Sequence, residues 1–177
     1  TVVEIPSYDK LLVFSDAAVC PRPTDEQFKA ILGYVLGVCR SLGAERPKVA
    51  LIHCTEKVSE KFPHTLSYES MKEMARNGEY GDCCVDGPMD VKTACDSDSG
   101  AIKGISSPVV GNADALIFPN IESGNVFYKT LTLFAKAETA GMLCGTTAPI
   151  VVASRADSGE SKFNSLALAC LADKVNK

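Results

Sequence analysis

Along the chain, short runs of consecutive apolar residues alternate with stretches in which apolar residues recur every three or four positions. Leu11 to Phe14 in "KLLVFSD", then "KVALIHC" and "ADALIFPN", are apolar along their length and read as strands buried on both faces. "RPTDEQFKAILGYVLGVCRSLG" places Phe28, Ile31, Leu32, Val35, Leu36, Cys39 and Leu42 at helical spacing. Thr24 with Gln27 three residues on predicts a capping box, and Gly43 suits the position just past the helix. "SYESMKEMARNG" predicts a second helix, starting near Ser67 or Ser70 and stopping at Gly78. "ESGNVFYKTLTLFAKAETAG" predicts a third, capped by Ser123. "SGESKFNSLALACLADKVNK" predicts a last one, amphipathic, bearing Phe163, Leu166, Leu168 and Leu171.

The connecting stretches carry weaker signals. "EYGDCCVDGPMD" reads as a short strand from Cys83 to Val85 and a turn at Asp86-Gly87-Pro88. "MDVKTACDSDSGAIKG" reads as a helix giving way to a loop after Asp98. "GMLCG" is a short strand or a loop, and "PIVVAS" is the last strand. Apolar strands separated by helices imply a sheet covered on both sides: a three-layer α/β/α sandwich with a mixed, mostly parallel sheet. Ligands of such sheets bind beyond the carboxyl ends of strands. Three strand ends here carry chemistry: Ser15-Asp16, Pro119 to Asn125, and Ser154-Arg155.

Composition narrows the function classes. The 177 residues suffice for one domain with a real core, and 46% hydrophobic with 23% charged residues is a globular balance. No apolar run approaches the roughly 20 residues of a membrane helix. A net charge of -4 argues against nucleic acid as a partner. Eight cysteines without a C-x-x-C pair, and only two histidines, argue against a zinc framework and for free thiols in a reducing compartment, the cytoplasm. His53 and Cys54 are neighbours on a predicted strand, so their side chains are expected on opposite faces and not paired. Asp86, Asp90, Asp96 and Asp98 lack calcium-loop spacing and read as a solvated acidic surface; no metal is expected.

The densest chemistry is "PIVVASRADSGESK", from Pro149 to Lys162. An Arg just past a buried strand can fork onto a phosphate, or it can close a turn by pairing with a carboxylate, here Asp157. Ser154 adds a rotatable donor, and a helix starting in "SGES" would bring free N–H groups close by. In "FPNIESGN", Ser123 would cap the helix and Gly124 would permit close approach. It is neither a P-loop nor a dinucleotide fingerprint.

Several blocks taken together resemble the phosphate acetyltransferase / phosphate butyryltransferase family. They are "LLVFSDAAV", "PKVALI", "VDGPMDVKTA" and, most specifically, the segment from Lys103 to Ser158, where "ADALIFPNIESGN", "AGMLCG" and "SRADS" follow one another at family spacing. "VDGP" and "SRADS" look more like the butyryltransferase branch. The resemblance implies a fold like that of the isocitrate and isopropylmalate dehydrogenases, with two α/β domains flanking a cleft, and a homodimer. Residues 1–150 would then be the second α/β domain. Residues 151–177 would be the last strand end and a C-terminal helix packing towards an N-terminal domain that this sequence lacks, consistent with its start at Thr1 as if in mid-domain.

The implied activity moves a butyryl or similar short acyl group between coenzyme A and inorganic phosphate, in the cytoplasm. Coenzyme A is a substrate, acyl-CoA with phosphate or acyl phosphate are the partners, and no tightly bound cofactor, nucleic acid or membrane is involved. Ser154 and Arg155 match the family's Ser-Arg pair at the cleft. In acetyl-type members a catalytic Asp lies seven residues beyond that Ser; here the position holds Ser161. The residues expected to act in catalysis are Ser154, Arg155 and Asp157, with Glu160 a second nearby carboxylate. Those expected to bind coenzyme A are Ser154, Arg155, Ser161 and Asn125. The early family motif that often carries a Cys has Ala17 here, so Cys20 receives no role. A non-catalytic acyl-CoA or phosphate-binding module, or a dehydrogenase of the same fold, are the alternatives, and the isolated chain is expected to be inactive.

Overall fold

Residue alternation along each strand divides the protein into two cores separated by one sheet. The computed structural model describes residues 1–172. Its elements, in chain order, are β1 (Val2–Glu4), β2 (Leu12–Ser15), α1 (Asp25–Ser41), β3 (Lys48–Ile52), α2 (His64–Arg76), β4 (Cys84–Met89), α3 (Val91–Cys95), α4 (Ser97–Lys103), β5 (Ala115–Ile117), α5 (Ile121–Phe134), β6 (Glu138–Ala140) and α6 (Gly159–Leu171). The sheet order is β4-β3-β5-β2-β1-β6. Ladders β4/β3, β3/β5 and β5/β2 are parallel, and β1 runs antiparallel to both its neighbours, so it alone opposes the common direction.

Val13, Val49, Leu51, Ala115 and Ile117 face α1 and α2, burying Phe28, Leu32, Leu36, Tyr68 and Met71. Leu12, Phe14, Ala50, Ile52 and Leu116 face the other way, towards Ala94 of α3 and Phe127, Tyr128 and Leu131 of α5. Strands apolar on both faces therefore support helices on both sides, which is the three-layer sandwich expected.

Local signals explain the best-defined elements. The α1 capping box is present: Thr24 Oγ1 accepts from Gln27 N at 3.3 Å and Thr24 N donates to Gln27 Oε1 at 2.9 Å. Gly43, at φ 96°, follows the helix in the left-handed conformation.

Elsewhere the structure corrects the sequence reading. Gly87-Pro88 is not a turn; β4 runs through it as far as Met89, and the register against β3 shifts there, as in a bulge. β4 is an edge strand, where proline's missing N–H is tolerated. Gly87 has φ 144°, and a Cβ would lie 2.5 Å from the Leu51 carbonyl oxygen. The acidic run is only partly a solvated surface: Asp98 is exposed, whereas Asp86, Asp90 and Asp96 are half-buried. Asp90 and Asp96 cap α3 and α4, so the segment after Asp98 is helix rather than loop. Asp86 Oδ1 accepts from Gly87 N and lies 4.0 Å from Lys72 Nζ.

Helix α2 begins at His64, before the serines proposed as its start. The cap of α5 is Asn120, whose Oδ1 accepts from Ser123 N at 2.9 Å; Ser123 is a donor in the first turn. That helix ends at Phe134, and Lys136, at φ 51°, turns the chain into β6, which no glycine announces. β1, likewise, was not assigned from the sequence.

"PIVVAS" is no strand. Only Ile150 forms a bridge, to Leu143, and Val152 is 59% exposed. The sheet already ends at β6, and the apolar run instead lines hollows outside it.

Helix α6 is turned differently from its apolar pattern. Ser161, Ser165, Leu168 and Ala169 are buried, while Phe163, Leu166 and Leu171 are 69%, 59% and 61% exposed. The small, serine-bearing stripe approaches the sheet closely, and the larger apolar residues face outward. The predicted continuation of this helix past Ala172 lies outside the described residues. Among the described residues no helix is long and apolar enough to cross a membrane, and none of the eight cysteines is disulfide-bonded.

Gly124 in the first turn of α5 is the tightest contact between a helix and the strand ends: a Cβ there would lie 2.1 Å from the Asp16 carbonyl oxygen. Gly124→Ala is expected to cost about 1–3 kcal/mol through forced displacement of α5, read as a lower urea midpoint. An unchanged midpoint would contradict this contact.

Candidate active site

The carboxyl ends of β2 and β5 lie side by side, because Ser15 and Ile117 are partners in the parallel ladder. After β2 the chain turns sharply around Asp16. Its carboxylate accepts from the N–H groups of Ala18 (2.7 Å), Val19 (2.9 Å) and Cys20 (3.1 Å). After β5 the chain enters α5, and Asn125 Nδ2 donates to the Ala17 carbonyl at 3.0 Å. Loop and helix are thus held together from both sides.

Between them, β6 and the chain leading into α6 lies a hollow of about 340 Å³. Ala17, Ala18, Asn125, Tyr128, Lys129, Ser154 and Asp157 are among its lining residues. Asp157 organises the wall that follows "PIVVAS". Its Oδ1 accepts from the Tyr128 hydroxyl at 2.6 Å, and its Oδ2 accepts from Ser154 N at 2.7 Å. Burial and the hydrogen bond to Asp157 raise the Tyr128 pKa, so the phenol keeps its proton. The ion pair Arg155–Asp157, one of two readings open from sequence, is not formed. Arg155 is exposed, and neither it nor Lys129 has a carboxylate partner among the described residues. Lys129 Nζ lies 4.4 Å from the Tyr128 ring centroid.

Of the site residues expected from sequence, the hollow gathers Ser154, Asp157 and Asn125. Arg155 stands between two of these in the chain without lining the hollow. Ser161 is buried elsewhere: it receives the Ser158 cap through its N–H and faces β6, with Thr139 Oγ1 and Glu138 Oε2 each 3.4 Å from its hydroxyl. Glu160 is exposed on the first turn of α6. Sequence reasoning missed Tyr128 and Lys129. The signal was their spacing: Lys129 lies one helical turn beyond Asn125.

At the end of β3, His53 and Cys54 are closer than strand alternation predicts, with Cys54 Sγ 3.8 Å from His53 Nε2. The strand stops at Ile52, so the alternation rule does not reach them. His64 Nε2 lies 3.2 Å from His53 Nδ1. Burial lowers the pKa of both histidines, and the neighbouring imidazole lowers that of His64 further. Burial pushes the thiols of Cys39 and Cys95 up to about 12 and about 11, which makes them poor nucleophiles.

The fold is that of a three-layer α/β protein with a polar hollow beyond its strand ends, lined by Lys129, Ser154 and Asp157 among others. Residues 1–170 match the family described as "Phosphate acetyl/butaryl transferase", and the chain belongs to that family. It is 40% identical over 170 residues to a phosphate butyryltransferase of Clostridium acetobutylicum, covering 96% of this chain and 56% of that protein. It is 39% identical over 171 residues to a phosphate acetyltransferase of Thermotoga maritima, covering 97% and 58%. Among solved structures, a branched-chain phosphotransacylase from Enterococcus faecalis V583 is similar, with a TM-score of 0.85 and 34% identity over 97% of this chain and 62% of that one. The chain thus spans a little over half the length of these two relatives. Near-equal identity to butyryl- and acetyl-named proteins leaves the acyl group to be argued from the site.

Two outcomes follow. Tyr128→Phe removes the donor to Asp157 and is expected to cost about 0.5–1.5 kcal/mol, measured by urea denaturation; no loss would show that this bond is not formed in solution. The lowered histidine pKa values mean that the unfolded chain binds protons more readily. Their contribution is complete above the ordinary value of 6.5 and is lost as pH falls below it, until the folded histidines also protonate. The stability gap between wild type and His64→Gln should therefore change between pH 7.5 and 5.5, and a pH-independent gap would rule this out.

Proposed function

We propose that the polypeptide carrying this chain transfers a short acyl group between coenzyme A and inorganic phosphate. The reading rests on family membership, and one observation carries its assignment to this hollow. Ser154, Asn125 and Lys129 line a cleft beyond the strand ends, with Arg155 beside it, and the two cations have no carboxylate partner among the described residues. Phosphate is a ligand that satisfies such donors.

The coenzyme A thiol gives up its proton and attacks the carbonyl of the acyl phosphate. The new C–S bond forms, the C–O bond to phosphate breaks, and phosphate leaves with that electron pair. The reverse direction yields acyl phosphate from acyl-CoA. Charge grows on the carbonyl and phosphate oxygens, where fixed donors act most strongly. In this reading Arg155 and Lys129 hold the phosphoryl oxygens and Ser154 donates beside them. Asp157 is the carboxylate at hand for the thiol proton. Both of its oxygens already accept hydrogen bonds, so its first contribution is to fix Ser154 and Tyr128 in place. Asn125 and Ser161 complete the proposed coenzyme A-binding set, Ser161 by seating α6 against β6.

The same reading takes residues 1–150 as one α/β domain and residues 151–177 as the return towards another, in a cytoplasmic homodimer. The exposed Leu133 and Phe134 of α5 and Phe163 and Leu166 of α6 support further contacts of that kind.

Phosphate-dependent release of free coenzyme A from butyryl-CoA tests the proposal. Arg155→Ala is expected to lower kcat/KM by about 10²–10³-fold, and full activity in that variant would remove Arg155 from the site. Residues 1–177 expressed alone are expected to turn over little; robust activity of the isolated chain would overturn the two-domain reading.

A further inference from the structure

Beside the polar hollow lies a second, apolar one of about 190 Å³. Helix α1 forms one side through Ile31, Tyr34 and Val35, and the segment after β6 forms another through Met142, Leu143 and Cys144. The two hollows share a wall made of Thr1, Ala17, Ala18, Gly141 and Val152. Three of these five residues are among the smallest side chains, so the partition is thin.

The chemistry of the apolar hollow excludes most ligands. Its only charged side chain is Asp16, and that carboxylate is already engaged by three backbone N–H groups. A phosphate or a nucleotide would find no lysine or arginine there; the Thr1 ammonium at its edge already donates to the Phe14 carbonyl. Its volume falls below the roughly 300–1,000 Å³ of sites that enclose larger ligands. A chain of a few carbons fits both the walls and the size.

We propose that this hollow is the acyl-chain subsite of the transferase, taking a butyryl or branched aliphatic tail while the reacting carbonyl sits at the shared wall. The proposal rests on the transferase reading of the polar hollow. Ile31, Tyr34, Met142 and Cys144 then set chain length. They are half-buried, whereas Val35 is buried in the core. "GMLCG", which carried no function in the sequence reading, acquires one: it places Met142 and Cys144 opposite α1.

The test is a specificity series, measured as kcat/KM with phosphate and acetyl-, propionyl-, butyryl- and isovaleryl-CoA. The protein is the polypeptide that carries this chain. Ile31→Phe fills the hollow from α1 and is expected to lower the butyryl-to-acetyl ratio by tenfold or more, with acetyl turnover kept within a few-fold. Met142→Ala enlarges it and should shift the optimum towards isovaleryl. Ratios unchanged within twofold in both folded variants, with the wild type active, would overturn the subsite and leave the transferase reading intact. A wild type with no phosphate-dependent activity towards any acyl-CoA would overturn both. A readout without turnover is the ¹³C-methyl resonance of Met142, expected to move on addition of butyryl phosphate and not of inorganic phosphate. If it moves with neither or equally with both, the chain does not enter this hollow.

Discussion

The arrangement of this protein turns on a backbone approach at Gly124. The first turn of α5 lies so close to the Asp16 carbonyl that any side chain at position 124 would collide with main-chain atoms. That contact sets how near α5 comes to the loop after β2. Asp16 makes the approach workable by tying its own loop into a tight arc through three N–H groups, and Asn125 adds a bond from the helix to the Ala17 carbonyl. The polar hollow, its thin wall and the apolar hollow behind it all border this junction.

On the other side, the site depends on how one carboxylate is used. Asp157 spends both oxygens on Tyr128 and Ser154, and so leaves Arg155 without an internal partner. An Arg155–Asp157 pair would have neutralised the cation and closed the turn. Instead neither Arg155 nor Lys129 has a carboxylate partner among the described residues, Lys129 lining the hollow and Arg155 standing beside it. A small hydrogen-bonded network thus leaves the arginine out of the turn.

Helix α6 shows the same separation between composition and placement. Its large apolar residues suggest a buried face, yet the stripe at Ser161, Ser165, Leu168 and Ala169 is the one that meets the sheet. Ser165 reaches both the Ser161 carbonyl and Gly141 N, so hydrogen bonds and small size hold the helix close. Phe163, Leu166 and Leu171 are left facing outward.

By itself the sequence determined the three layers, because Val13, Val49, Leu51 and Ile117 alternate with Phe14, Ala50, Ile52 and Leu116 and leave no face of the strands polar. It determined α1 through Thr24, Gln27 and Gly43, since capping is local chemistry. It also pointed to "SRADS" and "FPNIESGN" as segments bearing candidate site residues. Only the tertiary structure decided that "PIVVAS" lines a cavity instead of joining the sheet, because a β-branched run looks the same in either place. Only the fold brought Tyr128 and Lys129 to Asp157, since they lie 29 and 28 positions away in the chain. And only the fold divided one cleft into a polar and an apolar half, because that division depends on which side chains meet across Gly141 and Ala17, and no local pattern encodes such a meeting.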